Sequence, residues 1–198
     1  MEAFWLYLKL GFEHVLDWNA YDHVLFLTAL VASYSFRQSN KIFTLVTLFT
    51  IGHIISLAMA AYDIYRVNSA WIEFLIPVSI IITALYSIFT ARHTRRRTAA
   101  KERFNPLFSI TFFFGLVHGF GFSTYFNMLA KGTDSLWLML VEFALGIELA
   151  QLLVVLVVLI IGFVFHTLLK KSKRDWVLVV SSLIIGLSIP ILVENWIF

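Results

Sequence analysis

The chain has 198 residues, 60% hydrophobic and 14% charged, with a formal net charge of +3 and no cysteine, and its mean hydropathy is +0.86. That balance excludes an ordinary soluble globular domain. The lack of thiols excludes disulfides and thiolate metal ligands, so any metal site must use imidazole, carboxylate, amide or backbone oxygen.

The apolar residues fall in blocks long enough to cross about 30 Å of hydrocarbon as helices. The expected class is therefore all-α: a polytopic transmembrane helical bundle forming a single domain over residues 1–198. Residues 3–18 lack the basic n-region and small-residue cleavage site of a signal peptide and are expected to form an N-terminal amphipathic or partly inserted helix. Six full spans are expected after it, at 21–36, 42–62, 70–91, 106–129, 136–169 and 176–193, making seven helices in total. The first span is short, and the fifth exceeds what the hydrocarbon requires, so it is expected to tilt or protrude. Pro106 suits a helix start, whereas Pro77 and Pro190 lie inside apolar runs and predict local kinks.

Positive charge orients the spans. Arg37 and Lys41 follow the first; Arg92, Arg95, Arg96, Arg97, Lys101 and Arg103 follow the third; Lys170, Lys171, Lys173 and Arg174 follow the fifth. Lys9, Arg66 and Lys131 fall on the other side. The positive-inside rule then makes the basic loops cytoplasmic and puts both termini outside, in a bacterial inner (plasma) membrane. The basic runs read as topology signals, so no nucleic-acid partner is expected. Only Glu102 and Asp175 of the 12 acidic residues lie in those loops. An acid-rich outer face raises local cation concentration over a screening length of about 8–10 Å. The two groups of three spans run in opposite senses, and each carries a Gly-flanked mid-span histidine, in "FTIGHIIS" and "FGLVHGFG", hinting at an inverted repeat.

Ionisable groups at membrane depth are costly and normally face a bundle interior or a wet cavity. At about 1.5 Å per residue, His53 and His118 lie roughly 17 and 18 Å from the inner ends of their spans, at equal depth. Asp22 and His23 open the first span from outside, Glu73 lies about one turn into the third, and Glu142 and Glu148 lie about 9 and 18 Å down the fifth. The two glutamates are about 120° apart around that helix, so one is expected as a ligand and the other as an entrance or supporting group. Depth favours Glu148, which shares its face with Gln151. The expected metal ligands are thus Asp22, His23, His53, His118 and Glu148, with His14, Asp17, Glu73, Glu142 and Gln151 supporting them or lining an entrance. The small residues Gly115, Gly119 and Gly121 would let a neighbouring helix approach His118 closely. His93 and His166, beside basic loops, and Glu194, near the C-terminus, are assigned no site role. Trp5, Trp18, Trp71, Trp137 and Trp196 are expected as interfacial anchors.

Histidines with carboxylates and no sulfur suit nickel, cobalt, zinc or iron, and disfavour cuprous copper. The expected cofactor or cargo is a divalent transition metal ion.

The stretches "GFEHVLDWNAYDHVLFL", "FTIGHIISLAMA", "EFLIPVSIIITALYSIF", "FFGLVHGFGFS" and "EFALGIELAQLLVV" resemble the HupE/UreJ family of bacterial hydrogenase and urease accessory membrane proteins, implicated in nickel or cobalt uptake. The resemblance implies that His14, Asp22, His23, His53, His118, Glu142 and Glu148 occupy its polar motif positions. Nickel-oriented members carry H-x5-D-H, whereas seven residues separate His14 from Asp22 here, which leaves His14 as a supporting group. Phe114 and Gly121 stand where those members carry a His and a Glu in F-H-G-x-x-H-G-x-E.

The leading expectation is metal transport through the intramembrane His/carboxylate site, in which Asp22 and His23 dehydrate the ion and His53, His118 and Glu148 hold it. The alternative is an intramembrane metalloenzyme, hydrolase-like, with the same ligands leaving one position open for water. Expected partners are the lipid bilayer and the metal ion, with a second copy of the chain or metalloenzyme maturation proteins as further ones.

Overall fold

The computed structural model describes residues 2–93, 106–131, 133 and 135–197. The basic positions Arg95, Arg96, Arg97, Lys101 and Arg103 lie outside the described residues. Seven α-helices follow one another: α1 (Glu2–Val15), α2 (Asp22–Val31), α3 (Ser39–Ala61), α4 (Ser69–His93), α5 (Pro106–Ala130), α6 (Leu136–Thr167) and α7 (Lys173–Glu194). The architecture is the expected all-helical bundle, and α3 to α7 are long and apolar enough to cross a membrane.

The first expected span departs from the reading. Helix α2 has 10 residues, about 15 Å at the standard rise, too short to cross the hydrocarbon alone. Ser35 is extended (φ −145°, ψ 166°) and interrupts the chain before a 3₁₀ turn over Phe36–Gln38. Among the described residues, five helices have full-span length, and the sixth expected span is not confirmed. At 32 residues, α6 is about 48 Å long, beyond what a bilayer core needs. Both α4 and α7 continue through Pro77 and Pro190. Ser172 caps α7 reciprocally with Asp175, and the Ser135 side chain caps α6, which satisfies orphan amides where apolar helices meet the loops.

The helices pack chiefly as three pairs, α3 with α5, α1 with α6, and α4 with α7, while α2 touches α4, α6 and α7. Glycine sets the first two pairs. A Cβ on Gly115 would strike the Phe49 carbonyl, one on Gly119 the His53 carbonyl and Ser56 Oγ, and one on Gly52 the Phe112 carbonyl. Farther along, Asn127 Nδ2 donates to the Ala60 carbonyl at 3.4 Å. Contacts that rise together along both helices mean that α3 and α5 run parallel, with His53 and His118 on one level. In the second pair, a Cβ on Gly11 would strike the Phe143 carbonyl and one on Gly146 the Leu8 carbonyl. Such small-residue contacts let backbones touch where lipid offers no hydrophobic drive for association.

Phe26, Phe49, Phe126, Phe143, Leu27, Leu30, Leu45 and Leu57 are fully buried between these helices. Ile160, Ile161, Phe163, Leu183, Ile189 and Val193 remain exposed, as lipid-facing residues do. The five expected anchors Trp5, Trp18, Trp71, Trp137 and Trp196 are all exposed.

Candidate metal centre

Four helices deliver histidines to one place. His14 ends α1, His23 opens α2, His53 sits in the middle of α3, and His118 lies in α5. Ring centroids are 4.6 Å apart for His14 and His23, 5.5 Å for His14 and His53, and 5.6 Å for His23 and His53. His118 joins through His23, at 5.0 Å. His23, His53 and His118 are buried at 2%, 0% and 1% exposure. Aromatic rings wall the cluster: Phe49 lies 6.0 Å from the His23 ring and 5.1 Å from that of His118, and Phe122 lies 3.8 Å from that of His14.

One carboxylate accompanies the rings. Asp22 Oδ1 is 3.3 Å from His23 Nδ1, and Oδ2 is 3.9 Å from His118 Nε2. The ring of His118 is oriented by the Phe114 carbonyl, which lies 2.9 Å from Nδ1. When Nδ1–H donates there, the lone pair is left on Nε2, the arrangement by which backbone oxygens fix metal-binding imidazoles.

Unmet hydrogen-bonding capacity singles this cluster out. His14 Nε2, both ring nitrogens of His23 and His53, His118 Nε2 and Asp22 Oδ1 are buried with no hydrogen-bond partner. Each such orphan costs about 1–3 kcal/mol, and native interiors normally avoid them. A cation would engage several of these lone pairs at once. One ligand nitrogen from each of His14, His23 and His53 lies within 4.8 Å of the other two. Imidazoles bound at about 2.0–2.1 Å stand roughly 3.4 Å apart in a tetrahedral site, so the rings need close by little more than about 1 Å. The donor set fits a divalent transition metal ion.

The expected site residues divide accordingly. Asp22, His23, His53 and His118 come together. His14, expected only as support, stands among the rings, because the glycine contact of α1 with α6 draws its last turn inward. Glu148, expected as a ligand, is engaged elsewhere. Its carboxylate takes Thr47 Oγ1 at 2.7 Å and a short bond from Thr50 Oγ1, two turns and one turn before His53. Gln151 belongs to the same polar group, with Oε1 3.1 Å from Thr50 Oγ1. Glu142 is buried at 4% beside Phe143, whose ring is 5.8 Å from that of His14. Glu73 is exposed on α4.

Asp17 lies at a mouth. An open cleft of about 650 Å³ is lined by Leu10, Glu13, His14, Asp17, Trp18 and Phe122, among others, so the ring cluster is reached past two carboxylates. Asp17 Oδ1 accepts from the backbone and side-chain nitrogens of Asn19 at 2.9 and 3.2 Å. Among residues given no site role, His166 Nδ1 lies 3.2 Å from the Lys171 carbonyl, away from the cluster. The sequence reading missed Thr47, Thr50 and the close contacts of Gly11 with Phe143 and of Gly146 with Leu8. Gly11, three residues before His14 in an otherwise bulky segment, was the available signal.

Fold and site together define a polytopic membrane protein with a buried imidazole–carboxylate centre shared by four helices. A family model described as HupE / UreJ protein matches residues 1–195, and the chain belongs to that family. Membership places it among membrane proteins of nickel or cobalt handling, or of hydrogenase and urease accessory function. No curated protein and no solved structure matches the chain.

Proposed function

We propose that the chain is a divalent transition-metal permease, taking a nickel- or cobalt-like ion through the histidine cluster. The observation that carries this reading is the set of orphaned imidazole nitrogens from His14, His23 and His53, gathered within 4.8 Å of one another. The ion is drawn to Glu13 and Asp17 at the cleft, loses water as it meets His14 and His23, and is held by His14, His23, His53 and His118. Asp22 supplies the single carboxylate charge. One carboxylate against a divalent ion leaves the loaded site positive in a low-dielectric surround, which favours transient over permanent occupancy. On this reading the chain lies in a bacterial inner membrane with both termini outside, so the cleft faces the exterior.

Metal uptake by cells expressing the chain, compared with His53→Ala and His118→Ala variants at matched expression, tests the proposal. Both variants lose uptake if it is correct, and equal uptake by all three rejects it.

The cleft also supports a second reading, an intramembrane metalloenzyme. Leu10, Phe12, Leu16, Phe122 and Tyr125 line the approach to His14, a surface suited to an acyl chain. A tightly held, non-exchanging zinc or iron together with hydrolysis of a lipid ester or amide would select it.

A further inference from the structure

Glu148 and its neighbours form a second polar group, and its hydrogens do not add up. The Thr47 hydroxyl donates to Glu148 Oε1 at 2.7 Å. The Thr50 hydroxyl has one proton and three acceptors around it: Glu148 Oε2 in a short contact, Gln151 Oε1 at 3.1 Å and the Val46 carbonyl at 3.3 Å. Gln151 is fully buried, and its Nε2 has no hydrogen-bond partner. The amide therefore turns its oxygen, not its donor, toward a hydroxyl that already serves a carboxylate.

With Glu148 ionised, the Thr50 proton is committed to Oε2, and Gln151 Oε1 faces a bare oxygen. One added proton closes the chain: Glu148 Oε2–H donates to Thr50 Oγ1, and Thr50 donates onward to Gln151 Oε1. The oxygens stand at hydrogen-bond separations, which fit a proton and are too close to surround a larger cation. No lysine or arginine pairs with Glu148 among the described residues. The titratable groups on the helices packed against α6 include Tyr7, Lys9, Glu13 and His14 on α1, Asp22 and His23 on α2, Lys41 and His53 on α3, and Lys173, Arg174, Asp175 and Glu194 on α7. Lys9 pairs with Glu13 at 3.6 Å, and the histidines and Asp22 form the cluster above.

We propose that Glu148, cradled by Thr47, Thr50 and Gln151, is an exchangeable-proton site separate from the metal cluster, loading and releasing one proton as the metal ion passes. The coupling half rests on the permease reading; proton occupancy does not.

Infrared difference spectroscopy on the full chain in lipid vesicles, with Glu148→Gln and Thr50→Val variants, tests occupancy. Nickel uptake driven by an imposed proton gradient tests coupling. A protonated-carboxyl carbonyl band is expected in the wild type, absent in Glu148→Gln and shifted in Thr50→Val. The gradient response is expected to vanish in Glu148→Gln, with equilibrium nickel affinity within about threefold of wild type. Absence of that band overturns the proposal, because a reversed Gln151 amide would satisfy Thr50 without a proton. It is also overturned if Glu148→Gln abolishes nickel binding, or if uptake follows a sodium gradient instead. If no chain takes up nickel, the permease reading fails and the infrared arm alone decides the proton site.

Discussion

The rings of His14 and His23 stand edge to face with centroids 4.6 Å apart, although they belong to different helices joined by a short loop. This contact makes the N-terminal helix part of the candidate metal centre, whereas the spacing from His14 to Asp22 points to a supporting group. His14→Ala is therefore expected to weaken equilibrium nickel or zinc binding roughly 100-fold, about 2.7 kcal/mol, as much as His23→Ala. Isothermal titration of the purified protein checks it. A normal affinity combined with slowed uptake would return His14 to the entrance.

The position of His14 depends on α1 lying backbone to backbone on α6. Gly11→Val sets a branched side chain against the Phe143 carbonyl and should cost about 1–3 kcal/mol by overpacking. Thermal unfolding in detergent should show the loss, and metal affinity should fall with it, although no ligand has been touched. Gly186→Ala serves as the control, since a Cβ there meets nothing within 4 Å.

Protons and metal compete for the same imidazole lone pairs, which fixes the sign of the pH dependence. Affinity is greatest where the rings are neutral and falls once acidification protonates them. Each ring that must shed a proton to bind steepens the loss by up to about tenfold per pH unit. Titrations from pH 8 to 5 measure the slope; affinity that rises on acidification would exclude imidazole ligation.

Glu13 and Asp17 line the cleft but are not among the groups gathered within 4.8 Å of one another at His14, His23 and His53. Their neutralisation in a Glu13→Gln/Asp17→Asn double variant should slow metal uptake several-fold at low ionic strength and leave equilibrium affinity within about twofold. The defect should shrink as salt shortens the screening length. A salt-independent defect would mean that the two carboxylates act by contact.

Much of the fold was legible because hydropathy and helix length report one physical quantity, the hydrocarbon thickness. Helices α3 to α7 begin and end within a few residues of the expected spans. The first span was overdrawn: 32–38 contains no proline or glycine, and nothing local announces that Ser35 turns extended. Axial depth was readable too, and it placed His53 and His118 level with each other, as the Gly119–His53 contact requires. Rotation about a helix axis was not. Glu148 lies near the right depth, but its carboxylate is directed to threonines of α3, an azimuth that only packing decides. His14 illustrates the same gap from the other side, since its depth was set by glycine contacts, Gly11 with Phe143 and Gly146 with Leu8, between segments far apart in sequence.

X-ray absorption at the metal edge of the purified, nickel-loaded chain, compared with His14→Ala and His53→Ala, tests the central claim most directly. At least three imidazole nitrogens at about 2.0–2.1 Å are expected, with one fewer in each variant. A loaded ion bound only by oxygen, or the same nitrogen shell in all three proteins, would contradict the assignment of His14, His23 and His53 as one metal centre.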